Sequence, residues 1–207
     1  MNTPVPRWIK APLPLLSLGV SIVIAAGLPL ANMRTAVGAE SMVLHSVHCA
    51  LPLFLVAFVA SSLVRLRPSR VTRWLLRNRR AFGLGFAVGM AWHLAFVVYF
   101  MAKFDRHLNG LALGMDLIGL AFLIALTATS YRSVRRLLPP RSWTLLHRTG
   151  VHVIWLLVAW IYLLSARYSP DLSHLATLVV LLGVLGIRVL SWQSPARRRI
   201  SRHTGPI

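Results

Sequence analysis

The sequence predicts an all-α integral membrane protein, a six-helix transmembrane bundle oriented N-in and C-in. Hydrophobic residues make up 57% of the 207 residues and charged residues only 13%, a balance typical of membrane proteins rather than soluble domains. About six segments have the roughly 20 apolar residues that a helix needs to cross the bilayer. The basic residues are concentrated in the short loops between these segments, where signals of membrane topology lie.

The predicted spans leave little sequence for a soluble domain, so residues 1–207 are expected to form a single transmembrane domain. The first span is expected to be retained rather than removed as a signal peptide, because no clear small-residue cleavage site accompanies its apolar run. Residues 191–207 are expected to form a basic cytoplasmic tail. The six spans are predicted at about residues 11–31, 42–64, 81–102, 111–129, 145–164 and 172–190.

The connections between the spans have their own signals. Residues 67–80 are rich in arginine and are expected to form a helix on the membrane surface, with Trp74 in the interface. Pro139 and Pro140 prevent a helix from running through the loop before the fifth span. Pro170 is expected to start the sixth span.

The distribution of charge predicts the orientation and excludes one class of partner. With the N-terminus inside, nineteen of the 23 Lys and Arg residues fall on the inner side and four on the outer side. Cytoplasmic loops carry such an excess of Lys and Arg. The net charge of +19 therefore indicates topology and contact with the anionic head groups of membrane lipid, and we expect no nucleic-acid partner.

The histidines are the candidate functional residues, because ionisable side chains are costly inside a membrane. A rise of about 1.5 Å per helical residue puts His93 roughly 18 Å and His48 about 21 Å above the inner edge, so their depths match. The other histidines of the outer half are His45 and His174. His147 and His152 form an inner pair on the fifth span.

Imidazoles at matched depth on neighbouring helices suit a haem, whose iron takes axial ligands from the helices of a bundle. Two alternatives stay open on spacing alone. Any single histidine could instead hydrogen-bond to a backbone carbonyl across a helix interface. A proton relay would need acidic partners within the membrane, and only Asp116, near a helix end, qualifies.

Two motifs carry a family resemblance. The segment "RRAFGLGFAVGMAWH" (79–93) places an arginine pair and a Gly-Leu turn before His93. The segment "LTATSYRSVRRLLPPRSWTLLH" (126–147) ends the fourth span and leads through a basic turn to Trp143 and His147. Together they resemble the ferric reductase-like transmembrane domain family, over roughly residues 40–190. Within that family they are most similar to the haem-binding membrane subunits of periplasmic methionine sulfoxide reductase systems.

The resemblance implies b-type haem and electron transfer across the membrane, with His93 as one haem ligand and His147 as an inner ligand position. The family's further ligand, about thirteen residues after His147, corresponds to Trp160, which cannot bind iron. The match in depth makes His48 the first candidate to replace it. The predicted iron ligands are therefore His93, His48 and His147, and the wider set of candidate haem-binding residues adds His174, His45 and His152.

The predicted function is that of a b-type cytochrome subunit, multi-pass in a bacterial inner membrane, which holds one haem b or two. A cytoplasmic donor would supply electrons, with FMN or a quinone as their source. A separate redox partner on the outer side, such as a methionine sulfoxide reductase, would accept them. No catalytic residue is predicted, since the chain has no nicotinamide- or flavin-binding domain and resembles a subunit rather than a complete enzyme. The alternative is a haem-free family member that acts as a membrane scaffold or assembly subunit.

Overall fold

A computed structural model describes residues 33–105, 110–168 and 171–193. Every regular element in these ranges is a helix, which confirms the all-α prediction for this part of the chain. The predicted first span, Pro170 and the tail beyond Gln193 lie outside the described residues. Numbered in chain order, the helices are α1 (Ala36–Leu66), α2 (Arg70–Phe104), α3 (Gly110–Ala128), α4 (Arg132–Arg135), α5 (Pro140–Tyr168) and α6 (Leu172–Gln193).

Five of these helices, all except the four-residue α4, are long and apolar enough to cross a membrane. They correspond to the second to sixth predicted spans. Large apolar side chains remain exposed on them, for example Leu117 at 55% and Val179 at 68%. Such apolar surfaces are suited to contact with lipid, and these helices therefore indicate a multi-pass membrane protein.

The arginine-rich segment before the third predicted span is helical, but the prediction of a separate surface helix is wrong. α2 runs unbroken for 35 residues, which is about 52 Å and exceeds the ~30 Å of hydrocarbon. Its start is capped reciprocally: the Thr72 amide donates to Ser69 Oγ at 3.1 Å, and the Ser69 amide donates to Thr72 Oγ1 at 2.9 Å. No glycine or proline follows to break the helix before Ala81, so the basic turns continue directly into the apolar ones.

The described chain divides into two compact units. The first unit contains residues 33–54 and 79–105, and the second contains residues 55–78, 110–168 and 171–193. In the first unit the rings of Phe54 on α1 and Phe86 on α2 pack with centroids 5.0 Å apart. At the C-terminal end of α2 the Lys103 ammonium donates to the Met33 carbonyl at 3.1 Å, which ties the segment before α1 to the last turn of α2.

In the second unit α5 packs against both α3 and α6. α5 begins at Pro140, whose missing amide hydrogen is no loss in the first turn of a helix. Gly150 lies so close to α3 that an added Cβ would come within 3.1 Å of the side chains of Leu126 and Phe122. On the other side of α5, the indole Nε1 of Trp155 donates to the Leu181 carbonyl of α6 at 3.3 Å.

Candidate functional site

His93 on α2 is held by α1 through its Nδ1 atom. Nδ1 lies 3.1 Å from the Val43 carbonyl oxygen and 3.0 Å from Ser46 Oγ. A carbonyl oxygen only accepts hydrogen bonds, so Nδ1 carries the proton. The Ser46 hydroxyl itself donates to Val43 O at 2.7 Å, which leaves its oxygen to accept from Nδ1. In the neutral ring the unprotonated nitrogen is then Nε2, as in metal-binding histidines that a backbone carbonyl orients.

The structure does not bring the other histidines of α1 onto the face that contacts His93. His48 donates from Nδ1 to the Leu44 carbonyl one turn earlier on the same helix, at 3.0 Å. His48 follows Ser46 by two residues, a rotation of about 200° around the helix axis. His45 is exposed and lies about 100° from Ser46. The pairing of His48 with His93 on one iron therefore stays a prediction.

His147 on α5 forms a hydrogen bond through Nε2, the nitrogen that would have to bind a haem iron. Its Nε2 lies 3.0 Å from Thr129 Oγ1. The Thr129 hydroxyl has a single hydrogen and donates it to the Ala125 carbonyl at 2.6 Å, so the proton between Thr129 and His147 belongs to Nε2. The His147 ring also packs on Trp143 with centroids 4.4 Å apart. In this arrangement His147 is a tie between α5 and the end of α3.

His152, five residues further along α5 than His147, forms its hydrogen bond through Nδ1 instead of Nε2. Its Nδ1 lies 2.6 Å from the Arg148 carbonyl and therefore carries the proton. Its Nε2 is buried and has no hydrogen-bond partner in the described part of the chain. The rings of Phe58 on α1 and Trp192 on α6 lie beside it, with centroids 5.6 Å and 6.3 Å from that of the imidazole.

The remaining predicted positions lie elsewhere in the second unit. His174 is buried in the first turn of α6, and its ring stands edge-on to Tyr162 with centroids 6.1 Å apart. Trp160, at the family's further ligand position, is 44% exposed and does not fill the core.

Arg188 contacts Phe58, a role that the sequence analysis missed. In that analysis Arg188 was counted only among the basic residues that predict the topology. The Arg188 guanidinium lies 4.3 Å from the centroid of the Phe58 ring and donates to the Phe58 carbonyl. The available signal was an arginine inside an apolar helix, four residues before Trp192 and thus on the same face.

No group of three or more His, Cys, Asp or Glu side chains in the described ranges could hold a metal ion. A haem differs from a bare ion because its own ring supplies most of the iron's ligands, so one or two imidazoles suffice. His48, His93 and His152 fit that requirement by their tautomers, whereas His147 in its present hydrogen bond does not.

The fold and the candidate site define a helical membrane protein with imidazoles fixed inside its spans. No family model, curated protein or solved structure matches the chain. The resemblance to the ferric reductase-like family thus depends on the two motifs around His93 and His147.

Proposed function

We propose that this chain is a haem-binding membrane subunit of an electron-transfer system, a b-type cytochrome of a bacterial inner membrane. The observation that carries the proposal is the 3.1 Å contact between His93 Nδ1 and the Val43 carbonyl. This contact fixes the tautomer in which Nε2 can bind iron. The motif that precedes His93 adds independent support, because it resembles the family in which this position is a haem ligand.

The proposal includes six spans with both ends in the cytoplasm. Residues 11–31 supply an apolar run of spanning length besides the five described helices. The excess of basic residues on one side supports the orientation. The arginine-rich start of α2 then faces the cytoplasm, where it contacts anionic lipid and the electron donor. The end of α2 at Lys103 and the start of α6 at Asp171 face the acceptor.

The chain's own residues would bind and orient the cofactor. His93 would hold the iron through Nε2, while Val43 O and Ser46 Oγ fix the rotation of its ring. Haem, when bound, supplies the one-electron chemistry, and burial together with the axial ligands sets its potential. A second axial ligand from His48 or His45 would require α1 to present a different face to His93.

The donor and the acceptor follow from the same proposal. The chain takes electrons on the cytoplasmic side, from a flavin such as FMN or from a quinol. It passes them to a separate redox protein on the outer side, which in the systems it resembles is a methionine sulfoxide reductase. The chain is then an electron-transfer subunit, and the acceptor carries the catalytic residues.

A haem-free scaffold or assembly subunit is the second candidate function. The observation that favours it is the bond between His147 Nε2 and Thr129, which occupies the nitrogen expected to bind iron. Trp160 at the family's further ligand position also favours a haem-free protein, because tryptophan cannot bind iron. Under this function His93 and His147 serve to tie neighbouring helices together.

The experiment is an absorption spectrum of the detergent-purified full chain, oxidised and then reduced with dithionite. The wild type is compared with His93→Ala and with Leu94→Ala, an exposed neighbour on the same helix. We expect a Soret band and sharp reduced α and β bands that are lost or shifted in His93→Ala and unchanged in Leu94→Ala. A folded wild-type protein with no Soret band, even after expression with added haem, would leave the scaffold function.

A further inference from the structure

The two inner histidines on α5 present different nitrogens to their surroundings. They are five residues apart, about 140° around the helix, and so face different neighbours. His147 donates from Nε2 to Thr129 Oγ1. His152 donates from Nδ1 to the Arg148 carbonyl, so its Nε2 keeps a lone pair. Iron binds the unprotonated nitrogen of a neutral imidazole, so His152 is prepared for ligation and His147 is not.

The Nε2 atom of His152 is buried without a hydrogen-bond partner among the described residues. Folded proteins rarely leave a buried polar atom in this state, and each case calls for an explanation. An iron bound at Nε2 would give this acceptor its partner. The carbonyl that holds Nδ1 is the usual means of orienting a ligating histidine.

The surroundings of His152 suit a porphyrin. Phe58 and Trp192 flank the imidazole from two other helices, and Trp155 stacks on Phe58 with centroids 6.3 Å apart and an interplanar angle of 17°. An apolar aromatic shell excludes water from a macrocycle. The Arg188 guanidinium lies over the same Phe58 ring, at 4.3 Å. The propionate groups of haem are carboxylates, and arginine is the residue best shaped to pair with them.

We propose that His152, and not His147, binds the iron of an inner haem through Nε2, with Arg188 as the partner of a propionate group. This inference rests on the proposed function, since it assigns a ligand for the same cofactor. It departs from the position that the family resemblance implies. His147 is then a structural residue, and its neighbour one and a half turns away carries the iron.

The test measures the haem-to-protein ratio and the reduced spectrum of the purified full chain in His93→Ala, His147→Ala and His152→Ala. We expect His152→Ala to lose the part of the α band that persists in His93→Ala. We expect His147→Ala to retain the wild-type spectrum. The same helicity by circular dichroism and a single peak in size exclusion establish that each variant is folded.

Two further variants of His152 separate loss of a ligand from loss of fold, and a third variant tests Arg188. His152→Gly should recover the missing band when imidazole is added, because free imidazole can occupy the vacated ligand position. His152→Met keeps a ligating atom and should retain haem with a more positive midpoint potential, as methionine ligation does in other cytochromes. Arg188→Gln should bind haem more weakly without changing the position of the α band.

The outcomes distinguish this inference from the proposed function. A wild-type protein without haem would overturn both. Haem that depends on His93 but persists fully in His152→Ala would overturn the inference alone. Loss of the inner band in His147→Ala, with His152→Ala unchanged, would restore the position that the family resemblance implies.

Discussion

The Nε2 atom of His147 lies 3.0 Å from Oγ1 of Thr129, and this contact joins α5 to the end of α3. Its direction is fixed because the Thr129 hydroxyl donates to the Ala125 carbonyl at 2.6 Å. Trp143 strengthens the same junction, since its indole Nε1 donates to the Thr129 carbonyl at 3.2 Å. A polar pair between two apolar helices matters because water is scarce there as a replacement partner.

Thr129→Val should destabilise the protein by removing the acceptor for the His147 Nε2–H. Interhelical hydrogen bonds in membranes contribute about 0.6 kcal/mol on average and about 1.7 kcal/mol at most, so we expect the free energy of unfolding to fall by an amount within that range. Unfolding by SDS in mixed micelles, followed by tryptophan fluorescence, measures it. Thr129→Ser retains the hydroxyl, so its free energy of unfolding should fall clearly less than that of Thr129→Val. Equal losses in the two variants would show that the methyl group, rather than the hydrogen bond, supports this junction.

Gly150 should not tolerate a large side chain, because α3 lies directly against it. A Cβ at this position would come within 3.1 Å of Leu126 and Phe122 side-chain atoms, which are flexible enough to yield to one methyl group. Gly150→Ala should therefore fold, while Gly150→Leu should cost about 1–3 kcal/mol through overpacking. Gly183 on α6 is the matched control, since a Cβ added there would meet nothing within 4 Å. In thermal unfolding in detergent, Gly183→Leu should have a stability close to that of the wild type. Equal losses of stability in Gly150→Leu and Gly183→Leu would contradict the close approach of α3 to Gly150.

The positions of the described helices could be predicted from apolar runs, but their lengths could not. The second span is predicted at about 42–64, whereas α1 covers Ala36–Leu66. Hydropathy detects the part of a helix that suits hydrocarbon, whereas hydrogen bonding continues the helix into the head-group region. The difference is largest in α2, where a polar basic segment begins the helix at Arg70.

From the sequence we could propose candidate ligands and a depth for each, but not the direction that each ring faces. Depth follows from counting residues at a constant rise, which is why His48 and His93 are predicted to share one iron. The face of a helix and the protonated nitrogen depend on neighbours that spacing does not encode. Ser46, Thr129 and the Arg148 carbonyl decide them here. Sequence therefore indicated both histidines of α5 as candidates without showing which of them has its Nε2 unprotonated.

Asp171 should make the start of α6 sensitive to acid. The Ser173 hydroxyl and the Ser173 amide both donate to its carboxylate, and these bonds hold the pKa of Asp171 below its usual value of 3.8. Because the pKa is lower in the folded state, this stabilisation is present above about pH 4 and is lost as the pH falls through the folded pKa. Amide exchange protection in the first turn of α6 should fall on acidification. Asp171→Asn keeps a neutral cap and should remove that pH dependence, whereas a wild-type turn with constant protection would contradict the role of the carboxylate.

Ser46→Ala tests whether the hydrogen bonds to His93 act on a bound haem. The substitution removes one of the two acceptors of the Nδ1–H and leaves the Val43 carbonyl in place, so the ligand survives with a less restricted ring. Loss of such an orienting partner typically weakens metal binding by about 10- to 100-fold, and we expect the lower end of that range because one acceptor remains. Haem titration of the apoprotein, followed at the Soret band, measures the affinity, and the reduced α band should keep its shape. Ser41→Ala, at an exposed position of the same helix, should match the wild type. If Ser46→Ala also matches it, while His93→Ala loses the haem that this histidine binds, then the Val43 carbonyl alone orients the ligand.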